Sequence, residues 1–188
     1  MPTIFCIGRN YAAHVREMRG TGGDDAPVVF LKPEHAVNPA PLDIVLPPDA
    51  GEVHHEAELV IRVDADGEPE AAALGLDLTD RTRQAEAKAK GRPWAAAKGF
   101  PTSAGVGPFL AVSDLPPLDR LLFELRVNGE TRQRGDTTLM LRPVPTLLEA
   151  VRSWFGLRAG DLVFTGTPEG VGPIQAGDVL QLTLDGVE

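Results

Sequence analysis

Glycine and proline interrupt this sequence so often that they constrain its fold more than any other feature. The 188 residues include 20 glycines and 17 prolines, together roughly a fifth of the chain against about an eighth in typical domains. Proline ends helices, and glycine weakens the interior of helices and strands, so the elements must be short. This excludes a helix bundle or a coiled coil and predicts one α+β domain over residues 1–188, dominated by strands.

The composition is otherwise that of a globular protein, with 43% hydrophobic and 24% charged residues. The formal net charge of −9 repels phosphate backbones and anionic membranes, so neither nucleic acid nor a membrane is expected as a partner. The single cysteine, Cys6, cannot form an internal disulfide and is predicted to be a buried, inert thiol. The sequence contains neither a signal-peptide pattern nor a long apolar run, which predicts a cytoplasmic protein.

Local patterns predict the individual elements. Strands are expected at residues 3–7, 28–31, 52–63, 74–78, 162–165 and 179–184. Helices are expected at residues 11–19 with Asn10 as N-cap, from 79 or 80 through 90, and at 146–155 with a capping box from Thr146 to Glu149. Residues 123–134 alternate around Asn128-Gly129, which predicts a hairpin with a type I′ turn.

The predicted strand 52–63 carries two carboxylates on one face. A period of two places Val53, His55, Ala57, Leu59, Ile61 and Val63 on a core face, and His54, Glu56 and Glu58 on the other. Glu56 and Glu58 then lie about 7 Å apart and need a neutralising charge. A solvated strand face is one interpretation. Partial burial favours a divalent cation, because Mg²⁺ prefers carboxylate oxygens and keeps positions open for water or substrate.

Four other residues are candidates for chemistry, each with an ordinary alternative. Asp77 is a lone charge in an apolar run, either a third metal ligand or a helix N-cap. His14 and Glu17 stand at i and i+3 on the first predicted helix, either as a general base oriented by a carboxylate or as a surface pair. Lys98 follows an apolar patch, where it either meets an anion or is an ordinary surface lysine.

The segment 165–173 is a glycine-rich loop after a predicted strand. It lacks the Gly-Lys-Ser/Thr ending of a phosphate-binding P-loop and the dinucleotide fingerprint, so nucleotide binding is a weak interpretation. Its backbone amides and the Thr167 hydroxyl can instead hold a carboxylate.

The order of these motifs along the chain resembles the fumarylacetoacetate hydrolase family. The resemblance rests on seven segments that cover nearly the whole chain: Gly8-Arg-Asn-Tyr-Ala-Ala-His14-Val-Arg-Glu17-Met, Leu31-Lys-Pro33, His54-His-Glu56-Ala-Glu58-Leu, Leu76-Asp77-Leu-Thr79, Gly91-Arg-Pro-Trp94-Ala-Ala-Ala-Lys98-Gly-Phe, Val127-Asn-Gly-Glu130 and Thr165-Gly-Thr167-Pro-Glu-Gly-Val-Gly-Pro. The closest match is to the short single-domain branch, which includes acylpyruvate hydrolases and oxaloacetate decarboxylases.

The resemblance implies roles for particular residues. Glu56, Glu58 and Asp77 match the family's ligands for Mg²⁺ or Mn²⁺. His14 and Glu17 match a dyad that activates water, on a segment, residues 10–25, that acts as a lid. Gln84, Lys98 and Thr167 match positions that contact the substrate's carboxylate and oxo oxygens. The implied fold is a multilayer mixed β-sheet roll around the metal site, with few short helices, assembled as a homodimer.

Two departures from the family put the substrate range in doubt, namely the short segment 64–73 and the end of the sequence at Glu188, where relatives usually continue for another strand. The implied activity is Mg²⁺-dependent cleavage of a C–C bond in a 2,4-dioxo acid to pyruvate and a carboxylic acid, with decarboxylation of oxaloacetate as a related reaction. A dienoate isomerase or decarboxylase of aromatic catabolism is the alternative within the family. A non-catalytic metal-dependent binding protein is the alternative outside catalysis.

Overall fold

A computed structural model describes residues 2–18, 26–39, 41 and 43–185. Its strands, in chain order, are β1 (Ile4–Gly8), β2 (Val28–Lys32), β3 (Val37–Pro39), β4 (Val53–His55), β5 (Ala57–Val63), β6 (Pro69–Asp77), β7 (Thr79–Asp80), β8 (Ala104–Val106), β9 (Leu110–Ala111), β10 (Leu122–Val127), β11 (Glu130–Asp136), β12 (Leu162–Phe164), β13 (Gly172–Pro173) and β14 (Leu180–Leu184). Its α-helices are α1 (Ala12–Glu17), α2 (Arg81–Ala89), α3 (Ala95–Lys98) and α4 (Val144–Phe155).

The strands form one large mixed sheet and two small ones. The large sheet has the order β2-β1-β12-β5-β6-β8-β3, with β9 added to β6. Its pairs are parallel between β1 and β12 and between β3 and β8, and antiparallel elsewhere. The small sheets have the orders β11-β10-β14 and β13-β4-β7. This confirms the predicted strand-dominated, mixed-sheet α+β class with few short helices.

Apolar layers cover both faces of the central strands. Leu59 and Ile61 of β5 pack in a cluster with Leu147 of α4, whereas Val60 packs on the other face with Phe164 of β12. A third cluster lies between the β10 hairpin and the strands β4 to β6. The prediction of a single core face for residues 52–63 was therefore wrong: the strand breaks at Glu56, and β5 is buried on both sides.

The hairpin is the local prediction that the structure confirms most closely. Strands β10 and β11 pair antiparallel on either side of Asn128 and Gly129. The φ angles of these two residues are 54° and 81°, as a type I′ turn requires. The buried side chain of Gln133 on β11 reaches the candidate site from this hairpin.

Two predicted helix caps were wrong. Helix α4 begins at Val144, so Thr146 lies inside its first turn and cannot serve as N-cap, and no side chain caps the helix. Helix α1 has Tyr11 as its N-cap residue. Asn10 lies one residue further out, where its Nδ2 donates to the carbonyl oxygens of Arg142 and Thr165 at 3.0 and 2.8 Å.

Helix α4, with 12 residues, is the longest of the described helices. None of the helices in the described ranges has the length and apolar character needed to span a bilayer.

Candidate metal and substrate site

Three buried carboxylates, which we call the carboxylate cluster, meet beside the large sheet. They belong to Glu56, Glu58 and Asp77, and one oxygen of each lies within 4.8 Å of the others. The strand register explains the meeting, because β5 and β6 pair antiparallel with Ala57 opposite Leu76. The start of β5 and the end of β6 therefore coincide, and the Asp77 amide donates to the Glu56 carbonyl at 2.8 Å.

Lys98 lies between two members of the carboxylate cluster. Its Nζ donates to Glu56 Oε2 at 3.0 Å and to Asp77 Oδ2 at 2.6 Å. Helix α3 places this side chain, which is buried and lies over the ring of Phe30. Lys98 is thus a buried counter-ion rather than an ordinary surface lysine.

Two further cations, which the sequence did not single out, complete the surroundings of the carboxylate cluster. Arg81, the first residue of α2, lies 2.6 Å from Glu56 Oε1. Lys32 is buried at the end of β2, with Nζ 2.8 Å from Asp77 Oδ1. Lys32 was visible in the sequence as a lone charge ending an apolar strand, but nothing local indicates its partner.

The Lys32 ammonium acts on Asp77 through charge rather than through a hydrogen bond. Its three N–H bonds go to the carbonyl oxygens of Leu78, Lys98 and Ser103. Asp77 Oδ1 consequently accepts no hydrogen bond although it is buried. A buried carboxylate oxygen without a hydrogen-bond donor is suited to a cation ligand.

Burial and neighbouring charges move the pKa values of this site in different directions. Burial raises the pKa of Glu56, but the charges of Lys98 and Arg81 outweigh it and hold the pKa well below its usual range. Burial and the charges of Asp77 and Glu56 raise the pKa of Glu58 well above its usual range. Burial opposes the charge of Lys98, but the two carboxylates prevail and its pKa is raised.

The arrangement fits a divalent cation. Three carboxylates supply the oxygen donors that Mg²⁺ and Mn²⁺ prefer and leave positions open for a small ligand.

Glu58 Oε2 is held by the amide of Gly166 at 2.7 Å. Gly166 has φ 100° and approaches Asn10 so closely that a Cβ would lie 2.6 Å from the Cβ of that residue. Glycine is therefore required at this position for the loop to reach the carboxylate.

The predicted pair of His14 and Glu17, which we call the His–Glu pair, lies at the edge of the same cleft. His14 Nδ1 is 3.2 Å from Glu17 Oε2, and Glu17 Oε1 accepts from the Gly170 amide at 3.1 Å. His14 is buried and lines the cleft. Of the predicted lid, residues 10–18 are described and include α1, whereas residues 19–25 lie outside the described ranges.

Gln84 and Thr167, for which the family resemblance implies substrate contacts, also line the cleft. Gln84 is buried on α2, and its Oε1 accepts from Arg81 at 2.9 Å. The Thr167 hydroxyl donates to the Ala57 carbonyl at 2.9 Å. All eight residues singled out from the sequence therefore lie in one region, seven of them on the cleft wall or in the carboxylate cluster and Glu17 behind His14.

Gln133 is a buried residue of this region that sequence reasoning missed. Its Oε1 accepts from the Ala57 amide and lies 2.9 Å from His55 Nδ1. Its Nε2 donates to Thr167 Oγ1 at 2.8 Å and to the Pro168 carbonyl at 3.0 Å. The side-chain amide of Gln133 uses both of its N–H bonds and its oxygen in these contacts. Gln133 therefore fixes the 165–173 loop against β5.

The cleft is small, with a volume of about 70 Å³, and opens to solvent. Its wall combines Glu56, Glu58 and His14 with the aromatic rings of Phe30 and Trp94. Four cationic residues contribute to it, namely Arg9, Arg81, Lys88 and Lys98. Such a wall suits a small organic anion.

Comparison with known proteins agrees with this geometry. The mitochondrial oxaloacetate tautomerase of Mus musculus is 42% identical over an alignment of 194 positions, which covers 98% of this chain and 87% of the relative. The oxaloacetate tautomerase of Escherichia coli (strain K12) is 40% identical, covering 97% of this chain and 88% of the relative.

A solved structure has the same fold. The fumarylpyruvate hydrolase of Pseudomonas aeruginosa, crystallised with Mn²⁺ and pyruvate, superposes with a TM-score of 0.93 at 36% identity, covering 100% of this chain and 86% of that one. Residues 3–187 match the family described as Fumarylacetoacetate (FAA) hydrolase C-terminal. This chain therefore belongs to the fumarylacetoacetate hydrolase family.

Proposed function

We propose that the protein is a divalent-metal-dependent enzyme of 2-oxo acids, and that its principal reaction is the keto–enol tautomerisation of oxaloacetate. The observation that carries the proposal is the buried carboxylate cluster, in contact with Lys98, Lys32 and Arg81 and placed beside a small cationic cleft. The names of the curated relatives, at 42% and 40% identity over nearly the whole chain, favour oxaloacetate among the 2-oxo acids.

Glu56, Glu58 and Asp77 would hold the ion, Mg²⁺ or Mn²⁺. When bound, such an ion supplies a Lewis acid for the carboxylate and 2-oxo oxygens of the substrate. Lys98 and Arg81 add fixed positive charge at the same place. These two side chains therefore stabilise the negative charge that develops on the substrate oxygen during enolisation.

Tautomerisation moves one proton between C3 and the 2-oxo oxygen, so it needs a group that can hold a proton in transit. His14 lies on the cleft wall, and Glu17 orients its Nδ1. With Nδ1–H directed at Glu17, Nε2 is the basic nitrogen that takes the proton from C3. The same nitrogen, once protonated, returns the proton to the enolate oxygen or to C3.

A second candidate is hydrolysis of 2,4-dioxo acids, favoured by the same His–Glu pair and by the fumarylpyruvate hydrolase with this fold. In this reaction His14 takes a proton from water, and the hydroxide attacks the distal carbonyl. The C–C bond breaks, its electron pair remains on the pyruvate enolate, and the other product is a carboxylic acid. Decarboxylation of oxaloacetate yields the same enolate with loss of CO₂ and needs no water.

A substrate panel separates these reactions. Oxaloacetate, acetylpyruvate, fumarylpyruvate and a dienoate isomerase substrate are assayed with Mg²⁺, with Mn²⁺ and with chelator. We expect enol-to-keto conversion of oxaloacetate to be the fastest reaction and to stop on chelation. Turnover that is indifferent to chelator contradicts the metal assignment, and binding without turnover of any compound identifies a non-catalytic binding protein.

His14→Ala tests the base. General acid–base catalysis typically contributes about 10²–10⁴-fold to a rate, and we expect a loss in this range for tautomerisation and for hydrolysis, with decarboxylation largely retained. His35→Ala is the matched control, because His35 is an exposed histidine away from the cleft. Equal loss of all three reactions would contradict proton transfer as the specific task of His14.

We also propose that the protein acts as a homodimer, as the family resemblance implies. Light scattering of the purified chain tests this, with a mass of about twice 20.0 kDa expected and a monomer contradicting it.

A further inference from the structure

The net charge around the carboxylate cluster is more positive than the sequence indicated. Counting only Lys98 against the three carboxylates, a site with a divalent ion would be neutral. The structure adds Lys32 and Arg81 in direct contact with Asp77 and Glu56. The three carboxylates are thus already matched by three cations, and a divalent ion leaves an excess of two positive charges for the substrate to balance.

Lys88 continues this positive surface along the cleft. It lies on α2 four residues after Gln84, so the two side chains share a helix face, and both line the cleft. Helical side chains lean toward the N-terminus, which directs the Lys88 stem back toward Gln84 and Arg81. Its Nζ lies 5.1 Å from the centre of the Trp94 ring, which is also on the cleft wall.

Lys88 has no acidic partner among the residues that the structure describes. Lys90, on the same helix, lies instead 3.7 Å from Glu86 and does not line the cleft. Burial lowers the pKa of Lys88, and the like charges of Arg81, Arg9 and Lys98 lower it further. An anion bound beside Lys88 would relieve this repulsion.

We propose that Lys88 is a specificity-determining residue that binds the second carboxylate of the substrate, so that the cleft selects 2-oxo dicarboxylates over 2-oxo monocarboxylates. This inference rests on the proposed function for the position of the first carboxylate and the 2-oxo group, near Lys98 and Arg81. Arg81 and Lys88 are seven residues apart on one helix, about 10 Å along its axis, and the flexible lysine stem can shorten the gap between their charged ends. A four-carbon dianion then has a cation at each end.

Two isosteric ligands test the proposal. Acetylpyruvate carries a methyl ketone where oxaloacetate carries its second carboxylate, so the pair differs in one charge. Binding is measured with Mg²⁺ present through quenching of tryptophan fluorescence in a Trp154→Phe background, where Trp94 is the remaining tryptophan, and kcat/KM is measured for both compounds. The variants are Lys88→Gln, the charge-retaining Lys88→Arg, and Lys90→Gln as a matched control.

A charge-assisted hydrogen bond at a partly open site is worth on the order of 1.4 kcal/mol, about tenfold in affinity. We expect Lys88→Gln to weaken oxaloacetate binding and its kcat/KM by about tenfold while those for acetylpyruvate change less than about twofold. Lys88→Arg should keep most of the preference, and Lys90→Gln should match the wild type. Equal losses for both ligands, or no loss for either, would overturn the proposal.

The two measurements also separate this inference from the proposed function. If Lys88→Gln loses the preference in binding but the wild type turns over neither compound, the specificity assignment stands and the proposed reaction falls. If the wild type turns over oxaloacetate and Lys88→Gln keeps the preference, the reaction stands and the assignment falls. If the wild type binds neither compound with Mg²⁺ present, both are wrong.

Discussion

The carboxylate cluster and the His–Glu pair occupy the same cleft but are held in different ways. The cluster lies at the ends of β5 and β6 in the middle of the large sheet, where Glu56 and Asp77 each contact two cationic side chains. The His–Glu pair lies on the six-residue helix α1. The Glu17 side chain is 33% exposed, and a single backbone amide, that of Gly170, ties it to the loop opposite.

The difference suggests a division of tasks. Charges buried in the sheet are coupled to the stability of the whole fold, because leaving one unpaired is costly. A short helix at the cleft edge opens at low cost and is coupled mainly to catalysis. Substitutions in the two regions should therefore separate stability from activity.

The largest effect on stability is expected for Asp77→Ala. The change leaves the buried ammonium groups of Lys32 and Lys98 without their shared carboxylate, and breaking a buried ion pair costs about 3–5 kcal/mol. Urea unfolding of the metal-free protein measures the loss. Glu70→Ala, which removes an exposed partner of Arg62, serves as control and should cost less than about 1 kcal/mol. Equal losses in both variants would contradict the coupling.

A smaller loss is expected for Gln133→Leu. Leucine leaves the Ala57 amide and the Pro168 carbonyl without partners, and each unsatisfied buried group costs about 1–3 kcal/mol. We expect about 2–4 kcal/mol in urea unfolding, together with weaker substrate binding because Thr167 keeps its hydrogen bond to Ala57 but loses the one from Gln133. Gln181→Leu on the exposed side of β14 is the control. A loss below about 1 kcal/mol would show that the loop does not depend on Gln133.

The pH dependence of stability tests the charge state of Glu58 in the metal-free protein. Its pKa is raised in the folded state, so its contribution is present below the usual value of 4.5 and is lost as the pH rises above it. The free energy of unfolding should fall by up to about 1.4 kcal/mol per pH unit in this range. The pKa of Glu56 is lowered instead, so this residue changes the free energy of unfolding only below pH 4.5.

Glu58→Gln imitates the protonated carboxyl and should remove this slope while leaving the stability near pH 4.5 almost unchanged. Urea unfolding with chelator present, across a pH series, gives the comparison. A variant with the same slope as the wild type would place the responsible group elsewhere.

The smallest effect on stability is expected for His14→Gln, below about 1 kcal/mol, because its partner Glu17 is 33% exposed and glutamine keeps a polar group at the buried position. Thermal unfolding checks this beside the activity assays. A destabilisation as large as that of Asp77→Ala would remove the distinction between the two regions.

Local patterns predicted much of the fold. The turn at Asn128 and Gly129, the presence of helix α2, and the strand character of the chain follow from rules that act over a few residues. The N-cap of α2 is Asp80 and not Asp77, which was the residue offered for that role.

The predictions that were wrong are the single strand 52–63, the capping box and Asn10 as an N-cap, and they concern places where tertiary packing decides. The strand is interrupted at Glu56, whose carboxylate pairs with Arg81 and Lys98, residues far along the chain.

The residues of the candidate site likewise divide into those that local patterns predicted and those that they missed. Glu56 and Glu58 were found from their spacing, Asp77 and Thr167 were candidates whose alternatives local patterns left open, and Gln84 depended on the family resemblance. Lys32 and Gln133 were missed because their partners lie 34 to 78 positions away in sequence, and no local pattern encodes such contacts. The charge around the carboxylate cluster could be counted only once Lys32 and Arg81 were located beside it.

Titration with Mn²⁺ by calorimetry is the most direct test of the central claim that the carboxylate cluster holds one divalent ion. We predict binding of one Mn²⁺ per chain in the wild type and loss of that binding in Glu58→Gln, whose circular dichroism confirms that it is folded. Equal Mn²⁺ binding by the two proteins, or none by the wild type, would contradict the account.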